Sequence, residues 1–353
     1  MWKQPRSCKR WIYKPVLTIT KSSDKDDYNV GDTAHYVIEV NQIIENAVAN
    51  DVVITDADMT EGLKVLPETI QVTNATLSQD ANGDGFTVTK DKLDDKTTTK
   101  IEFDAIIESN DLTGGNIYNK ATATSSNNPE TVEATVEDEV LNPELIVYKE
   151  ADKPRYNIGD RITYKIRTIQ SVEGARSNDV QVTDILPKGI TVDYDSFMLD
   201  GEKVAKENIT ITEEGFTVNI GDVTSVKTLT FQAVADDITI IENGPATVIN
   251  NVKAYSPNTP NIDEKGATVE IEKPILSIEK TVTDEQPEYN LEDSINYHIT
   301  VRQTAEWARA NDIRITDFGM SDGVTIDMDS IQATSEGHNV EVIKNDDNTF
   351  EVL

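Results

Sequence analysis

The sequence has one cysteine and three histidines among its 353 residues. A single cysteine excludes an internal disulfide bond, and so few thiols and imidazoles exclude the usual zinc, iron–sulfur and Cys–His chemistries. No apolar run approaches the roughly 20 residues that a membrane helix needs. Positive charge is scarce too, since 32 Lys and Arg stand against 64 Asp and Glu, a net charge of −32. Nucleic-acid binding is therefore not expected, because it needs a basic surface to displace counterions from phosphate.

What the chain does contain is three copies of one long repeat. A Tyr-Asn-x-x-Asp motif at residues 28–32 recurs at 156–160 and at 289–293, where Glu292 replaces the glycine of the first two copies. Each motif is followed, at equal spacing, by a repeated tyrosine, a Gln-x-x-Glu-x-Ala-x-x-Asn-Asp string and a Thr-Asp pair. The shared order and spacing indicate tandem duplication.

The repeats divide the chain into four segments. Residues 16–141 and 142–273 are complete copies, whereas residues 274–353 end before the closing part of the other two. We therefore expect the third copy to be C-terminally truncated. Residues 1–15 contain five Lys and Arg, no acid and no apolar stretch behind them, so they predict a basic, disordered leader rather than a signal peptide.

The residue pattern within each copy is typical of β-strands. Apolar and polar residues alternate over 36–40 and 228–234, and clusters of Gly, Asn and Asp separate such runs. Several short strands in a copy of this length predict an all-β fold of tandem immunoglobulin-like β-sandwich repeats, with the third incomplete. The copies are joined by very short Pro-containing segments, which favour a stiff head-to-tail rod.

Three polar residues recur in phase with the apolar face of a strand. Lys21 alternates with Leu17 and Ile19, although lysine is almost never buried without a partner. Asp56 is likewise in phase with the apolar residues of its strand, and Asn119 with the alanines of a late strand. The equivalent residues are Lys149, Asp184 and Asn250 in the second copy and Lys280 and Asp317 in the third.

These features resemble the repeat modules of Gram-positive cell-wall surface proteins and the isopeptide-forming domains of their pilus subunits. The resemblance spans residues 16–353 and rests on the in-phase lysine, the Tyr-Asn-x-Gly-Asp turn, the strand ending in Thr-Asp and the late strand that opens with Asn. Glu292 departs from this pattern.

In that family the opening-strand lysine bonds covalently to an asparagine near the last strand, helped by a buried acid. The resemblance implies that the crosslinked pairs with their assisting acids are Lys21–Asn119 with Asp56 and Lys149–Asn250 with Asp184. In the third copy Lys280 and Asp317 are present, and the asparagine would lie beyond residue 353.

The chemistry of such a bond is coherent on residue types alone. Burial lowers the pKa of a lysine and raises that of an aspartate, so both can be neutral near pH 7. A neutral amine is a nucleophile, and a protonated carboxyl can stabilise charge on the asparagine carbonyl. Two alternatives stay open. Lys21 could extend to solvent from a strand end while Asp56 starts a turn, or Asp32 and Asp160, also in phase with apolar residues, could supply the acid.

A calcium site is a weaker hypothesis. Asp80, Asn82 and Asp84 match the start of an EF-hand loop, but the twelfth position is Asp91 instead of Glu and a strand follows instead of a helix. A hairpin turn is the favoured interpretation, and no cofactor or metal is expected.

The leading functional hypothesis is a structural stalk of a bacterial surface adhesin or pilus-like protein, stabilised by autocatalytic isopeptide bonds. It would be extracellular and associated with the cell wall, with no enzymatic turnover and no membrane insertion in this segment. Host proteins or glycans would bind through other parts of the protein. Two alternatives are that the repeats themselves bind a host protein or glycan, or that they are spacers of a secreted enzyme.

Overall fold

The structure, a computed structural model, describes residues 12–79, 84–259, 262–318, 320–345 and 349–353. Most of the expected basic leader, residues 1–15, lies outside these ranges. The described residues are almost entirely β, interrupted by short 3-10 helices at Pro67–Thr69, Asn110–Leu112, Lys206–Asn208 and Ile238–Ile241. None of the helices in the described ranges has the length and apolar character that a membrane span requires.

The first repeat is a sandwich of two sheets. Its strands are β1 (Leu17–Ser23), β2 (Asp27–Tyr28), β3 (Thr33–Gln42), β4 (Val48–Met59), β5 (Leu63–Val65), β6 (Gln71–Thr73), β7 (Thr76–Gln79), β8 (Phe86–Asp94), β9 (Thr98–Ile107), β10 (Asn116–Ser125) and β11 (Asn128–Val140). One sheet has the order β1-β3-β9-β5, with β6 also paired to β9, and the other has the order β2-β11-β10-β4-β8-β7.

The second repeat has the same architecture. Its strands are β12 (Leu145–Ala151), β13 (Arg155–Tyr156), β14 (Arg161–Gln170), β15 (Ser177–Ile185), β16 (Ile190–Leu199), β17 (Glu202–Lys203), β18 (Ile209–Ile211), β19 (Gly215–Val223), β20 (Val226–Ala235), β21 (Ala246–Tyr255) and β22 (Asp263–Ile271). The sheets are β12-β14-β20-β16-β17 and β13-β22-β21-β15-β19-β18.

Alternation of residue type sets the buried face of each strand. Along β3, Ala34, Tyr36, Ile38 and Val40 are fully buried, and the residues between them are at least partly exposed. The inner faces of the two sheets form one apolar core in each complete repeat. The prediction of all-β, immunoglobulin-like sandwich repeats is thus confirmed.

The third repeat contains shorter pieces of the same pattern. Its strands are β23 (Leu276–Val282), β24 (Tyr297–Gln303), β25 (Ile315–Asp317), β26 (Thr334–Ser335), β27 (His338–Asn339), β28 (Val342–Lys344) and β29 (Phe350–Val352). They form the sheets β23-β24, β25-β29-β28 and β26-β27. Leu276 is 50% exposed, whereas its equivalents Leu17 and Leu145 are 4% and 2% exposed. The described part of this repeat therefore has no closed core like those of the first two.

We predict that limited proteolysis releases two resistant fragments, near residues 16–141 and 142–273, while the third repeat is digested early. The physical reason is that local opening costs little free energy where few apolar side chains are buried. Gel electrophoresis and mass spectrometry of a digestion time course measure this. A third repeat as resistant as the first two would contradict the prediction.

Candidate functional site

Lys21, Asp56 and Asn119 lie on three strands from both sheets of the first repeat. Lys21 is on β1 in one sheet, and Asp56 and Asn119 are on the neighbouring strands β4 and β10 of the other. Asp56 pairs directly with Ala121, so Asn119 is its diagonal neighbour on the same face of the sheet. The fold thus brings the three sequence-predicted residues together between the sheets.

The lysine and the aspartate form a buried ion pair. Lys21 Nζ donates a hydrogen bond to Asp56 Oδ2, and neither side chain has any solvent exposure. The ammonium group also lies 5.2 Å from the centre of the Tyr36 ring and 5.4 Å from that of the Phe103 ring. Aromatic rings therefore enclose the pair in a water-poor environment.

The second repeat reproduces this arrangement. Lys149 Nζ donates to Asp184 Oδ2, again with both side chains fully buried, and lies 5.0 Å from the Tyr164 ring and 5.5 Å from the Phe231 ring. Asp184 pairs with Val252, two residues from the buried Asn250. The same three residue types on equivalent strands thus form the same site twice.

Burial shifts the ionisation of the pair towards the neutral forms. Desolvation lowers the pKa of Lys21 to about 8, and the opposing charge of Asp56 recovers only part of the shift. Desolvation also raises the pKa of Asp56, against the lowering effect of the Lys21 charge and hydrogen bond. In the second repeat, the pKa of Lys149 is lowered to about 8 and that of Asp184 is raised for the same reasons.

Several polar atoms at these sites are buried without a hydrogen-bond partner. In the first repeat they are Oδ1 and Nδ2 of Asn119, Oδ1 of Asp56 and the hydroxyl of Tyr36. The equivalent atoms of Asn250, Asp184 and Tyr164 complete a set of eight, out of eleven such side-chain atoms in the whole described chain. Each buried, unpaired polar group costs about 1–3 kcal/mol. Most of the buried, unpaired polar side-chain atoms of the described chain therefore lie at these two sites, although proteins normally pair such atoms.

Gly85 and Gly215 are site residues that the sequence reasoning missed. A Cβ atom on Gly85 would lie 2.3 Å from the backbone oxygen of Asp56, and one on Gly215 would lie 2.0 Å from that of Asp184. Both residues have positive φ angles, 138° and 156°. Only glycine allows β8 and β19 to approach the acid-bearing strands this closely. A repeated glycine just before a repeated phenylalanine was the available signal.

The third repeat has part of the site. Lys280 Nζ lies 2.8 Å from both carboxylate oxygens of Asp317 and 4.6 Å from the centre of the Tyr297 ring. The lysine side chain is 35% exposed and that of Asp317 is 10% exposed. The lysine–acid pairing therefore persists with less burial.

The alternative acids lie elsewhere. Asp32 accepts a hydrogen bond from the backbone N–H of Asn29 and pairs with Arg176 of the second repeat. Asp160 occupies the equivalent position in the next repeat and pairs with Arg309. Asp56 and Asp184 are thus the acids in contact with the opening-strand lysines.

The calcium hypothesis gains no geometric support. Asp80 and Asn82 lie outside the described residues, and Asp84 forms an ion pair with Lys64. Across the described ranges, the structure contains no group of three or more His, Cys, Asp or Glu side chains arranged to hold a metal ion.

Comparisons with known proteins found structural similarity only. No protein-family model and no curated protein sequence matches the chain. Among solved structures, the C-terminal domain of the Streptococcus agalactiae AgI/II polypeptide BspA is 13% identical, with a TM-score of 0.37, covering 72% of this chain and 100% of that one. The collagen adhesin CNA from S. aureus is 13% identical, with a TM-score of 0.27, covering 82% and 96%.

A third similar structure is the 35 kDa C-terminal fragment of the major pilin GBS80 of S. agalactiae. It is 12% identical, with a TM-score of 0.29, covering 72% of this chain and 91% of that one. Two of these three structural neighbours are thus named as a collagen adhesin and a major pilin.

The pH dependence of the free energy of unfolding tests whether Lys21 is desolvated in the folded protein. The Asn119→Ala variant removes the asparagine beside the pair and keeps Lys21 and Asp56. Because the lysine's folded pKa of about 8 lies below the unfolded value of 10.5, the unfolded chain binds more protons between these values. The free energy of unfolding should therefore rise from pH 8 to pH 10.5, by about 3 kcal/mol relative to Lys21→Met/Asn119→Ala. Urea denaturation followed by circular dichroism measures the difference. Identical pH dependence in both variants would mean that Lys21 is not desolvated.

Proposed function

We propose that the repeats form a structural stalk of a surface adhesin or pilus-type protein, and that each complete repeat is locked by an autocatalytic Lys–Asn isopeptide bond. The observation that carries the proposal is a fully buried Lys–Asp pair beside a buried asparagine without hydrogen-bond partners, present at the same place in both complete repeats.

The proposed reaction is an intramolecular amide exchange. The lysine transfers a proton to the aspartate, and its neutral amine then attacks Cγ of the asparagine. The protonated carboxyl donates a hydrogen bond to the asparagine Oδ1 and stabilises the negative charge that develops there. The Nζ–Cγ bond forms, Nζ gives up its second proton to Nδ2, the Cγ–Nδ2 bond breaks, and Nδ2 leaves as ammonia. No cofactor, oxidant or external energy source is needed, and the reaction occurs once in each repeat.

The product explains most of the unpaired polar atoms. In the first repeat, Nδ2 of Asn119 would be gone, and the new amide N–H would donate to Asp56 Oδ2. The remaining Asn119 Oδ1 would accept from the protonated Asp56 Oδ1. Three of the four atoms without partners in that repeat would then be paired or removed. The unlinked site therefore resembles the state before the reaction, and formation of the bond would give these polar atoms hydrogen-bond partners.

The placement of the bond suits a load-bearing role. Lys21 is on the first strand and Asn119 on the penultimate strand, in opposite sheets, so the bond would fasten the two sheets together. It would close a loop of 119 − 21 = 98 residues. By the chain-entropy model used for disulfides, such a crosslink stabilises a domain by roughly 4–5 kcal/mol. This is close to the lower end of whole-domain stability, about 5 kcal/mol. The sequence has no cysteine pair to do the same.

A stalk of this kind would work outside the cell, attached to the cell wall. Its partners, a host protein or glycan, would be bound by other parts of the molecule. Both complete repeats have the same buried residues at the crosslink site. This favours a structural role shared by the repeats over a recognition site confined to one copy.

The intact mass of the denatured protein tests the proposal. We predict a mass below the sequence value by one ammonia per complete repeat, two in all. Lys21→Ala and Asn119→Ala should each restore one. Asp56→Ala should also restore one, because Lys21 and Asn119 remain but the acid is gone.

The matched control is Asn116→Ala, which changes an exposed asparagine on the same strand β10 and should keep both losses. Wild-type protein with the full unmodified mass would refute the crosslinks. Persistence of both losses in Asp56→Ala would assign the acid's role to another group.

Single-molecule pulling tests what the bond does. Load enters the first repeat at β1 and leaves at β11, so a bond from β1 to β10 should prevent the strands between them from unravelling. Wild-type complete repeats should show almost no unfolding extension. Asn119→Ala keeps the Lys21–Asp56 pair and should release about 98 residues, on the order of 300 Å of contour length. Equal extension in both proteins would show that the bond does not carry the load.

A further inference from the structure

The first two repeats are joined by a cluster of polar contacts around the Tyr-Asn-x-Gly-Asp turn. Arg176 of the second repeat donates from Nη2 to Asp32 Oδ1 at 2.8 Å and to the backbone oxygen of Val30 at 3.0 Å. Its backbone N–H donates to Asn29 Oδ1 at 2.7 Å. In return, Asn29 Nδ2 donates to the backbone oxygen of Gly174 at 3.0 Å. Each repeat therefore provides both donors and acceptors to the other.

The joint between the second and third repeats has three of these four contacts. Arg309 Nη2 lies 2.5 Å from Asp160 Oδ1, and the Arg309 backbone N–H donates to Asn157 Oδ1 at 2.6 Å. Asn157 Nδ2 donates to the backbone oxygen of Trp307 at 3.4 Å. Two joints in one chain thus use the same residue types with the same atoms.

Hydrogen bonds within each repeat orient the aspartate of the turn and the arginine of the loop. On the turn side, Asp32 Oδ2 accepts from the Asn29 N–H at 3.0 Å, which leaves Oδ1 for the arginine. On the loop side, Arg176 Nε donates to Asn178 Oδ1 at 2.9 Å within the second repeat. Asn178 Nδ2 adds a further contact across the joint, to the backbone oxygen of Val30 at 3.0 Å. Fixing both sides beforehand lowers the entropy lost on docking, and a charged pair strengthens the contact.

The fold places this turn at the exit of each repeat. The short strand β2 runs parallel to the end of β11, and the N–H of Leu141 donates to the backbone oxygen of Tyr28 at 2.9 Å. The turn that follows β2 therefore lies beside the point where the chain enters the next repeat. The loop with Arg176 precedes β15 in that repeat and meets the turn across the joint.

The first repeat lacks the arginine at this position. Its equivalent loop has Val48 where the other repeats have Arg176 and Arg309, although Asn50 matches Asn178. The side chain of valine has no hydrogen-bond donor for the acceptors of such a turn. The arginine is therefore present in the two repeats whose loop contacts a preceding turn in the described structure.

We propose that the Tyr-Asn-x-x-Asp turn and the Ala-Arg-x-Asn loop are complementary docking surfaces that fix the orientation of one repeat on the next. The arginine side chain is what allows a repeat to dock onto the turn of the repeat before it. This inference concerns the joint and holds whether or not the crosslinks form.

A spin-label distance measurement on the full chain tests this proposal. In a parent protein with Cys8→Ser, labels are attached to Asp111→Cys in the first repeat and Ser225→Cys in the second, both exposed positions. The parent should give one narrow distance distribution. Arg176→Val, which installs the residue of the first repeat, should about double its width.

Two controls keep the measurement specific. Arg161→Thr also installs the residue of the first repeat, here Thr33, but Arg161 pairs with Asp193 inside its own repeat. Arg309→Val alters only the next joint. Both should keep the narrow distribution.

A second test comes from the other side of the joint, since Asn29→Ala should broaden the distribution as Arg176→Val does. Circular dichroism melting confirms that each variant is folded. Distributions as narrow as the parent's in both Arg176→Val and Asn29→Ala would overturn the inference.

Discussion

The contact between a buried lysine and a buried aspartate, in the space between two β-sheets, is the interaction on which the rest of this structure depends. Moving two charges out of water costs several kcal/mol per ion, and the attraction between them repays this only when the remaining lone pairs and protons are also satisfied. Here they are not, because an aspartate oxygen and a whole asparagine amide are left without partners. Packed apolar side chains at these positions would stabilise the fold at least as well as this ion pair. As the reactants of a covalent bond, the same residues are well placed.

The site and the joint together account for the repetition. Each complete repeat would be closed internally by a bond between its sheets, and each is docked to the next through a turn at its exit. Internal closure limits how far a repeat can extend under load, while docking limits how far neighbouring repeats can bend. Both tasks recur with every copy, so the residues that perform them recur too.

Much of this could be predicted from the sequence. Period-2 alternation predicted the strands, and the phase of Lys21, Asp56 and Asn119 predicted three polar residues on buried faces. Phase cannot tell whether strands from different sheets meet, so the contact between Lys21 and Asp56 needed the structure.

Other features depend on packing that no local pattern reveals. Gly85 precedes a strand and suggested only a turn, yet its missing Cβ is what lets β8 lie against the acid-bearing strand. Arg176 lies within the repeated string of Gln, Glu, Ala and Asn residues, but the first copy has Val48 at its position, so the repeat pattern does not mark the arginine. Asp32 is in phase with apolar residues as Asp56 is, because phase alone does not distinguish a core residue from one at the end of a repeat.

The central claim is that Lys21 and Asn119 are one covalent unit. Tandem mass spectrometry of a protease digest of the denatured protein tests it most directly, because it locates the bond. We predict a branched peptide in which Lys21 is joined to Asn119 with the loss of ammonia, and a second in which Lys149 is joined to Asn250. Linear peptides carrying a free Lys21 amine and an unmodified Asn119 amide would contradict the account.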